Sequence, residues 1–255
     1  LAKSGKPGAV LVDLPLDVQM ADVDFDIATY QPLPFENPRP AMQDIEQAIA
    51  MLKEAKSPAL IMGGGVLLAG AAGQCVEFAE LMNLPVITTY MAKGGIPADH
   101  PLNAGHAGIQ VGQPIGNKVF VESDVIIGIG CRFTDRHTGN IAVYRGNRKF
   151  IHINIEPKEI GKIFQPDLGI VADAQYALEA LLQVAKAAGG RKADPRVAEI
   201  PAQKQQLKRK TCYDCVPIKP HRVYEELNNF FHDDAMFTTG CGLNQIWSGQ
   251  LQDVS

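Results

Sequence analysis

Short apolar runs alternate along the middle of the chain with segments whose apolar residues recur at three- and four-residue spacing. The runs are Ala59-Leu60-Ile61-Met62, Leu84 to Thr89, Val125 to Ile129, Lys149 to Ile155 and Gly169 to Ala172. Each is short and most are rich in β-branched residues, the pattern of a strand covered on both faces in a parallel sheet. Helical spacing appears between them: Met42, Ile45, Ile49 and Leu52, then about 70–83 and about 115–122, and finally Ala174, Ala177, Leu178, Leu181, Leu182 and Ala185. Strands alternating with helices predict an α/β fold, a Rossmann-like doubly wound parallel sheet over residues 41–188.

The flanks read differently. Ala9-Val10-Leu11-Val12-Asp13-Leu14-Pro15 predicts a buried strand ended by proline, within a partial domain at 1–30. Pro32, Pro34, Pro38 and Pro40 make 31–40 an extended connector. Gly189-Gly190 and the polar stretch that follows predict a second linker over 189–214, with Lys204, Lys208, Arg209 and Lys210 on a solvated helical face. Beyond it, Lys219 to Phe231 has an amphipathic pattern through Val223, Leu227 and Phe230. Ala235 to Thr239 predicts a strand, and Gly240-Cys241-Gly242 leads into a helix carrying Gln245 and Trp247. That makes 215–255 the opening of a further domain. With no initiator Met at Leu1, both ends read as cuts within a longer protein.

Candidate chemistry collects where strands end. In an open α/β sheet, ligands bind beyond the carboxyl ends of the strands. The Val125 run breaks at Gly128 and Gly130 and then delivers Arg132, Asp135 and Arg136. Glycine lets backbone approach a ligand, and arginine offers a fork of donors to phosphate or carboxylate. Gly63, Gly64 and Gly65 follow one strand and precede a helix, the context of a pyrophosphate cradle, but their spacing is not the dinucleotide fingerprint. Asn154 and Asp173 lie at strand ends as acceptors for ribose or adenine, and Asp173 reads equally as a helix N-cap. His137, near the crevice arginines, reads as a hydrogen-bonded loop histidine.

Composition narrows the classes. Charged residues make up 20% of the 255 and the formal net charge is −4, which leaves no electrostatic footprint for nucleic acid. No apolar run is long enough to span a bilayer. Five cysteines, an odd number, fit a reduced cytoplasmic chain, and Cys212 and Cys215 read as two unlinked thiols. Metal-ligand clusters, a nucleophile elbow and a P-loop are all missing from the sequence.

The stretches GKPGAVLVDLPLDVQ, MGGGV, TTYMAKGGIP, GIGCRFTDRHTG, IHINIEPKEIGKIFQPDLGIVADA and KTCYDCVPIKPHRVYEELNNFF resemble the central part of the thiamine-diphosphate-dependent carboligases. Within that family PDLGIVADA, VPIKPHRVYEE and Leu16 are similar to the glyoxylate carboligases. The alternatives are an acetohydroxyacid synthase-like enzyme using pyruvate, which shares the GGG and RF-x-DR-x-TG motifs, and a nucleotide-binding module without catalysis.

The resemblance implies that 1–30 is the tail of a pyrimidine-binding domain, 41–188 a whole central domain and 215–255 the start of a diphosphate-binding domain. It implies FAD on the central domain without a redox role, and thiamine diphosphate with Mg2+ in the full-length enzyme. It also implies a small 2-oxo acid substrate (glyoxylate), a homodimer or homotetramer and a cytoplasmic setting. Carried across by motif, Lys6, Gly63, Gly64, Gly65, Thr89, Tyr90, Met91, Ala107, Gly108 and Ile109 would contact or line the flavin nucleotide. Gly130, Arg132, Thr134 and Arg136 would touch it or face the substrate. Asn154, Ile155, Glu159, Ala172, Asp173 and Ala174 would hold the adenosine end. Arg136, oriented by Asp135, would steady the carboxylate of the acceptor 2-oxo acid. Two positions depart from the family pattern: Lys6 stands for an arginine and Asn154 for an aspartate. The Gly-Asp-Gly run ending in Asn-Asn that binds magnesium and diphosphate does not occur, so the chain alone is expected to be inactive.

Overall fold

The computed structural model describes residues 2–32, 34–231 and 235–254. Strands β1 (Pro58–Met62), β2 (Val86–Thr88), β3 (Asn103–His106), β4 (Val125–Ile129), β5 (Lys149–Asn154) and β6 (Leu168–Val171) form one sheet in the order β3-β2-β1-β4-β5-β6. Every pairing is parallel. The helices are α1 (Leu16–Met20), α2 (Met42–Glu54), α3 (Gly64–Leu68), α4 (Ala72–Met82), α5 (Pro114–Glu122), α6 (Asp135–Thr138) and α7 (Ile141–Arg145). They continue with α8 (Ala174–Ala187), α9 (Pro195–Ala198), α10 (Ile200–Gln206), α11 (Pro220–Phe230) and α12 (Leu243–Leu251).

The alternation of side chains along each strand splits the core in two. Leu60, Met62, Ile127, Ile129, Ile151 and Ile153 pack on one face with α2, α4 and α8. Ala59, Ile61, Ile87, Ile126 and Phe150 turn to the other, where α5 supplies Ile115, Val119 and Phe120. Burying each large aliphatic side chain stabilises the fold by about 1.5–3 kcal/mol, which is why β1, β2 and β4 are apolar almost throughout, while β6 buries only Leu168 and Ile170. The helix α8 buries Ala174, Ala177, Leu178, Leu181, Leu182 and Ala185 along one stripe, and Asp173 caps it by accepting from the Gln175 N–H at 2.8 Å.

The structure departs from expectation at five places. Ala9 to Pro15 is not a strand: it runs extended and exposed, with Leu11 92% accessible, and no strand among the described residues pairs with it. Ala235 to Thr239 forms no strand either. Asn103–His106, absent from the apolar runs read as strands, forms β3 and pairs with β2. And 189–214 is more than a solvated linker. Val197 and Ile200 are buried in the main core, Arg196 donates to the Pro58 carbonyl, and Lys204 donates to the Ala98 carbonyl at 2.7 Å. In α11 the buried residue is Tyr224, while Val223 and Phe230 stay exposed.

Candidate functional site

Chain order reverses at the boundary between β1 and β4: β2 and β3 continue on one side of β1, and β4 to β6 on the other. A switch point of this kind leaves a crevice at the carboxyl ends of the two strands. Here it is floored by glycine. The Gly63 N–H donates to the Ile129 carbonyl at 2.8 Å, and the Gly65 N–H donates to the Gly130 carbonyl at 3.0 Å. A Cβ on Gly63 would fall on the Gly130 carbonyl, and one on Gly65 would lie 2.8 Å from the Gly130 Cα. Gly130 itself has a φ of +64°. So the glycines at 63–65 are required first by the approach of two backbones, and that approach forms the crevice floor.

The other loops close around it. Beside Gly64 sits Met91, whose Cβ would be 2.9 Å from a Cβ added there. Gly108 packs on the His137 backbone, and Ile109 leans over Gly139. The loops after β1, β2, β3 and β4 therefore share one end of the sheet, bringing together Gly63, Gly64, Gly65, Met91, Gly108, Ile109 and Gly130. Arg132 and Thr134 follow β4 directly and are exposed, and Arg132 has no protein partner among the described residues.

The Arg132–Arg136 loop is held from beneath by a residue that sequence reasoning missed. Phe133 has a left-handed φ of 51° and is buried. Its ring lies 4.8 Å from His152, 5.1 Å from Phe164 and 5.9 Å from Phe150. A Cβ on Gly128 would meet the Phe133 Cζ at 2.6 Å, so Gly128 makes room for this ring and does not break the strand, which runs on to Ile129. The turn is further tied to β5. The His152 Nε2–H and the Asn154 Nδ2 both donate to the Cys131 carbonyl at 2.9 Å, and Asn154 Oδ1 accepts from the Glu156 N–H. Burial lowers the His152 pKa, opposed by its bond to Cys131 and by Glu159. Asn154 thus spends its side chain on loop geometry.

Asp173 is likewise engaged, through its cap and through the Asn37 amide at 2.7 Å. Lys6 and Glu159, expected separately, form an ion pair at 3.4 Å, and Lys162 joins at 3.3 Å. Burial pushes the Glu159 carboxyl up, and the two lysines outweigh it, leaving its pKa below the ordinary value. Thr89, Ala107, Ile155, Ala172 and Ala174 sit at the ends of β2, β3, β5 and β6.

Arg136 is exposed and its Nη1 donates to the Cys241 sulfur at 3.5 Å; Asp135 opens α6 beside it. Nearby, the Tyr90 hydroxyl bonds the Thr239 hydroxyl at 2.7 Å, and Lys93 donates to the Ser248 carbonyl. The segment 239–250 therefore docks on the crevice loops. His137 is buried, its Nδ1 3.1 Å from the Tyr144 hydroxyl and its Nε2 without a partner, and burial lowers its pKa to about 4. It belongs to the aromatic cluster and does not face the crevice arginines as a charged group.

A family model described as "Thiamine pyrophosphate enzyme, central domain" matches residues 45–181, the segment that builds the sheet and its crevice. The chain belongs to the thiamine pyrophosphate enzymes. Among members of this family it is similar to glyoxylate carboligase of Escherichia coli O157:H7, 46% identical over 100% of this chain and 44% of that protein. It is also similar to a probable acetolactate synthase large subunit of Methanococcus aeolicus, 37% identical over 97% of this chain and 44% of the relative. The acetolactate synthase large subunit of Corynebacterium glutamicum is 38% identical over 99% and 41%. The chain spans less than half the length of these relatives. No helix among the described residues is long and apolar enough to cross a membrane.

Proposed function

We propose that the chain is the central portion of a glyoxylate carboligase, which joins two glyoxylate molecules into tartronate semialdehyde with release of carbon dioxide. The switch-point crevice carries this reading, with its glycine floor and its Arg132–Arg136 rim in a chain that is 46% identical to a glyoxylate carboligase. Residues 41–188 are read as the whole central domain, 1–30 as the tail of the preceding one and 215–255 as the opening of the next. The parent is a cytoplasmic homodimer or homotetramer.

The donor set suits an anionic dinucleotide such as FAD. Arg132, with no protein partner among the described residues, offers its guanidinium from the loop that follows Gly130, where the backbone carries no side chain. Gly63 to Gly65, Met91, Gly108, Ile109 and Arg132 would hold the diphosphate and flavin. The adenosine end would meet Asp173 and Glu159, whose carboxylates already serve Asn37, Gln175, Lys6 and Lys162. FAD bound there would be a structural ligand without redox turnover. Arg136 would hold the carboxylate of the acceptor, steadied by Cys241 and Asp135.

Thiamine diphosphate supplies the carbanion chemistry of this family, but its magnesium-binding motif does not occur in the chain. Asn228-Asn229 lies inside α11, where Asn228 is bonded to the Leu251 carbonyl. Glyoxylate turnover should therefore be zero with thiamine diphosphate, Mg2+ and FAD all added; measurable carbon dioxide release would contradict this. FAD at about 1,000 times its dissociation constant should raise stability by roughly 4 kcal/mol, and a melting scan without a shift would reject the flavin site. The acetolactate synthase relatives favour a second reading, an enzyme of the same class using pyruvate. Rates of the intact parent with glyoxylate and with pyruvate separate the two.

A further inference from the structure

Away from the crevice, along the β3 edge of the sheet, a cavity of about 330 Å3 opens between α10, the segment 207–211 and the end of α12. That volume is at the small end of the range that small-molecule sites occupy. Its lining combines two chemistries. Ile115, Pro201, Leu207 and Leu251 contribute apolar surface to its lining, and Lys204, Lys208 and Arg209 contribute three cations.

The cations are only partly satisfied by the protein. Lys204 Nζ donates to the Ala98 carbonyl at 2.7 Å and the Asn103 carbonyl at 3.4 Å. An ammonium has three N–H donors, so one remains for a ligand. Lys208 is shared with Asp253 at 3.6 Å. Arg209 has no protein partner among the described residues, although its five donors form a fork suited to a carboxylate. Only Asp99 and Asp253 oppose these three charges in the lining. Burial also lowers the Lys204 pKa, with Lys208 acting in the same direction against Asp253 and Asp99. A bound anion would relieve that cost.

We propose that this cavity binds a small organic carboxylate with a compact apolar body, held at its charged end by Lys204 and Arg209. The surplus of one positive charge suits a monoanion, and a bare phosphate would leave the apolar walls wet. The site is separate from the switch-point crevice. Because α10 lines one side of the cavity and Leu251 of α12 the other, an occupant would bridge the two.

The test is calorimetric titration of the chain with hexanoate and, separately, with inorganic phosphate. Hexanoate should saturate with a dissociation constant below about 10 mM, a weak but specific affinity. Arg209→Gln should weaken it roughly tenfold, the loss of one charge-assisted bond. Thr211→Trp, which fills the cavity from a lining position outside any helix or strand, should abolish it. Arg132→Gln should leave it unchanged. Circular dichroism of each variant establishes that the fold is kept. Failure of hexanoate to saturate, equal or tighter binding of phosphate, or indifference to both Arg209→Gln and Thr211→Trp would overturn the assignment.

Discussion

Gly128 and Phe133 offer the sharpest test of how the crevice rim is built. If Gly128 exists to admit the Phe133 ring, the two positions are energetically coupled although one is in β4 and the other in a loop. Gly128→Ala places a methyl 2.6 Å from the Phe133 Cζ and 2.9 Å from the Cys131 sulfur, both inside the core. Overpacking of this kind costs about 1–3 kcal/mol. Phe133→Ala removes a buried ring that touches Phe150, Phe164 and His152, a loss of about 3–5 kcal/mol. In the double variant the new methyl enters space the ring has vacated. The combined loss should therefore fall short of the sum by at least about 1 kcal/mol, within the usual range for residues in contact. Urea unfolding followed by far-UV circular dichroism gives all four stabilities. If Phe133→Ala unfolds the chain outright, Phe133→Leu replaces it in the same cycle. Additivity to within about 0.5 kcal/mol would refute the pairing of the two residues.

Other outcomes follow from burial and backbone geometry. Burial lowers the pKa of His137 to about 4; for His106 it does so to about 3, with Lys93 acting the same way. Both are then neutral when folded and protonated when unfolded below the ordinary histidine pKa near 6.5. Their contribution is complete above the ordinary pKa and is lost as pH falls toward about 4 for His137 and about 3 for His106, at about 1.4 kcal/mol per pH unit for each. Equal urea midpoints at pH 5 and pH 7 would contradict this. Gly63→Ala forces a Cβ into the Gly130 backbone, and neither loop can yield, so the chain should lose more than about 4 kcal/mol. Gly73→Ala in α4 meets nothing within 4 Å and should instead gain about 0.5 kcal/mol, and a reversed order in thermal melting would sink the glycine argument.

Strands buried on both faces announce themselves in sequence, and β1, β2, β4 and β5 do so through Ile, Val, Leu and Phe, while β6 is legible from Leu168, Ile170 and Val171 although only Leu168 and Ile170 are buried. β3 does not, because Asn103-Ala104-Gly105-His106 contains no β-branched residue. It holds its place through polar bonds: Asn103 Nδ2 donates to the Ile96 and Pro97 carbonyls of the loop just before it, and His106 Nδ1 bonds the Thr88 hydroxyl of β2. The opposite error occurs at Ala9 to Leu14, where an apolar run has no sheet to join. The same asymmetry holds at the site. That the Gly63 and Gly130 loops share one crevice was legible from their positions at strand ends. Phe133 was not, since nothing in a single sequence marks a bulky residue for a left-handed backbone. Nor was the Lys6–Glu159 pair, whose partners are brought together only by the folded chain.

The stitching of Gly63 and Gly65 to Ile129 and Gly130 makes that part of the molecule a fixed anvil. A guest arriving there finds a surface already shaped, so little ordering has to accompany its capture. Whatever adjustment different guests demand must come from above, where Met91 and Ile109 stand 69% and 67% open to water. On the proposed function, Met91 and Ile109 are therefore the side chains that would adjust to guests of different size, above a floor that does not move.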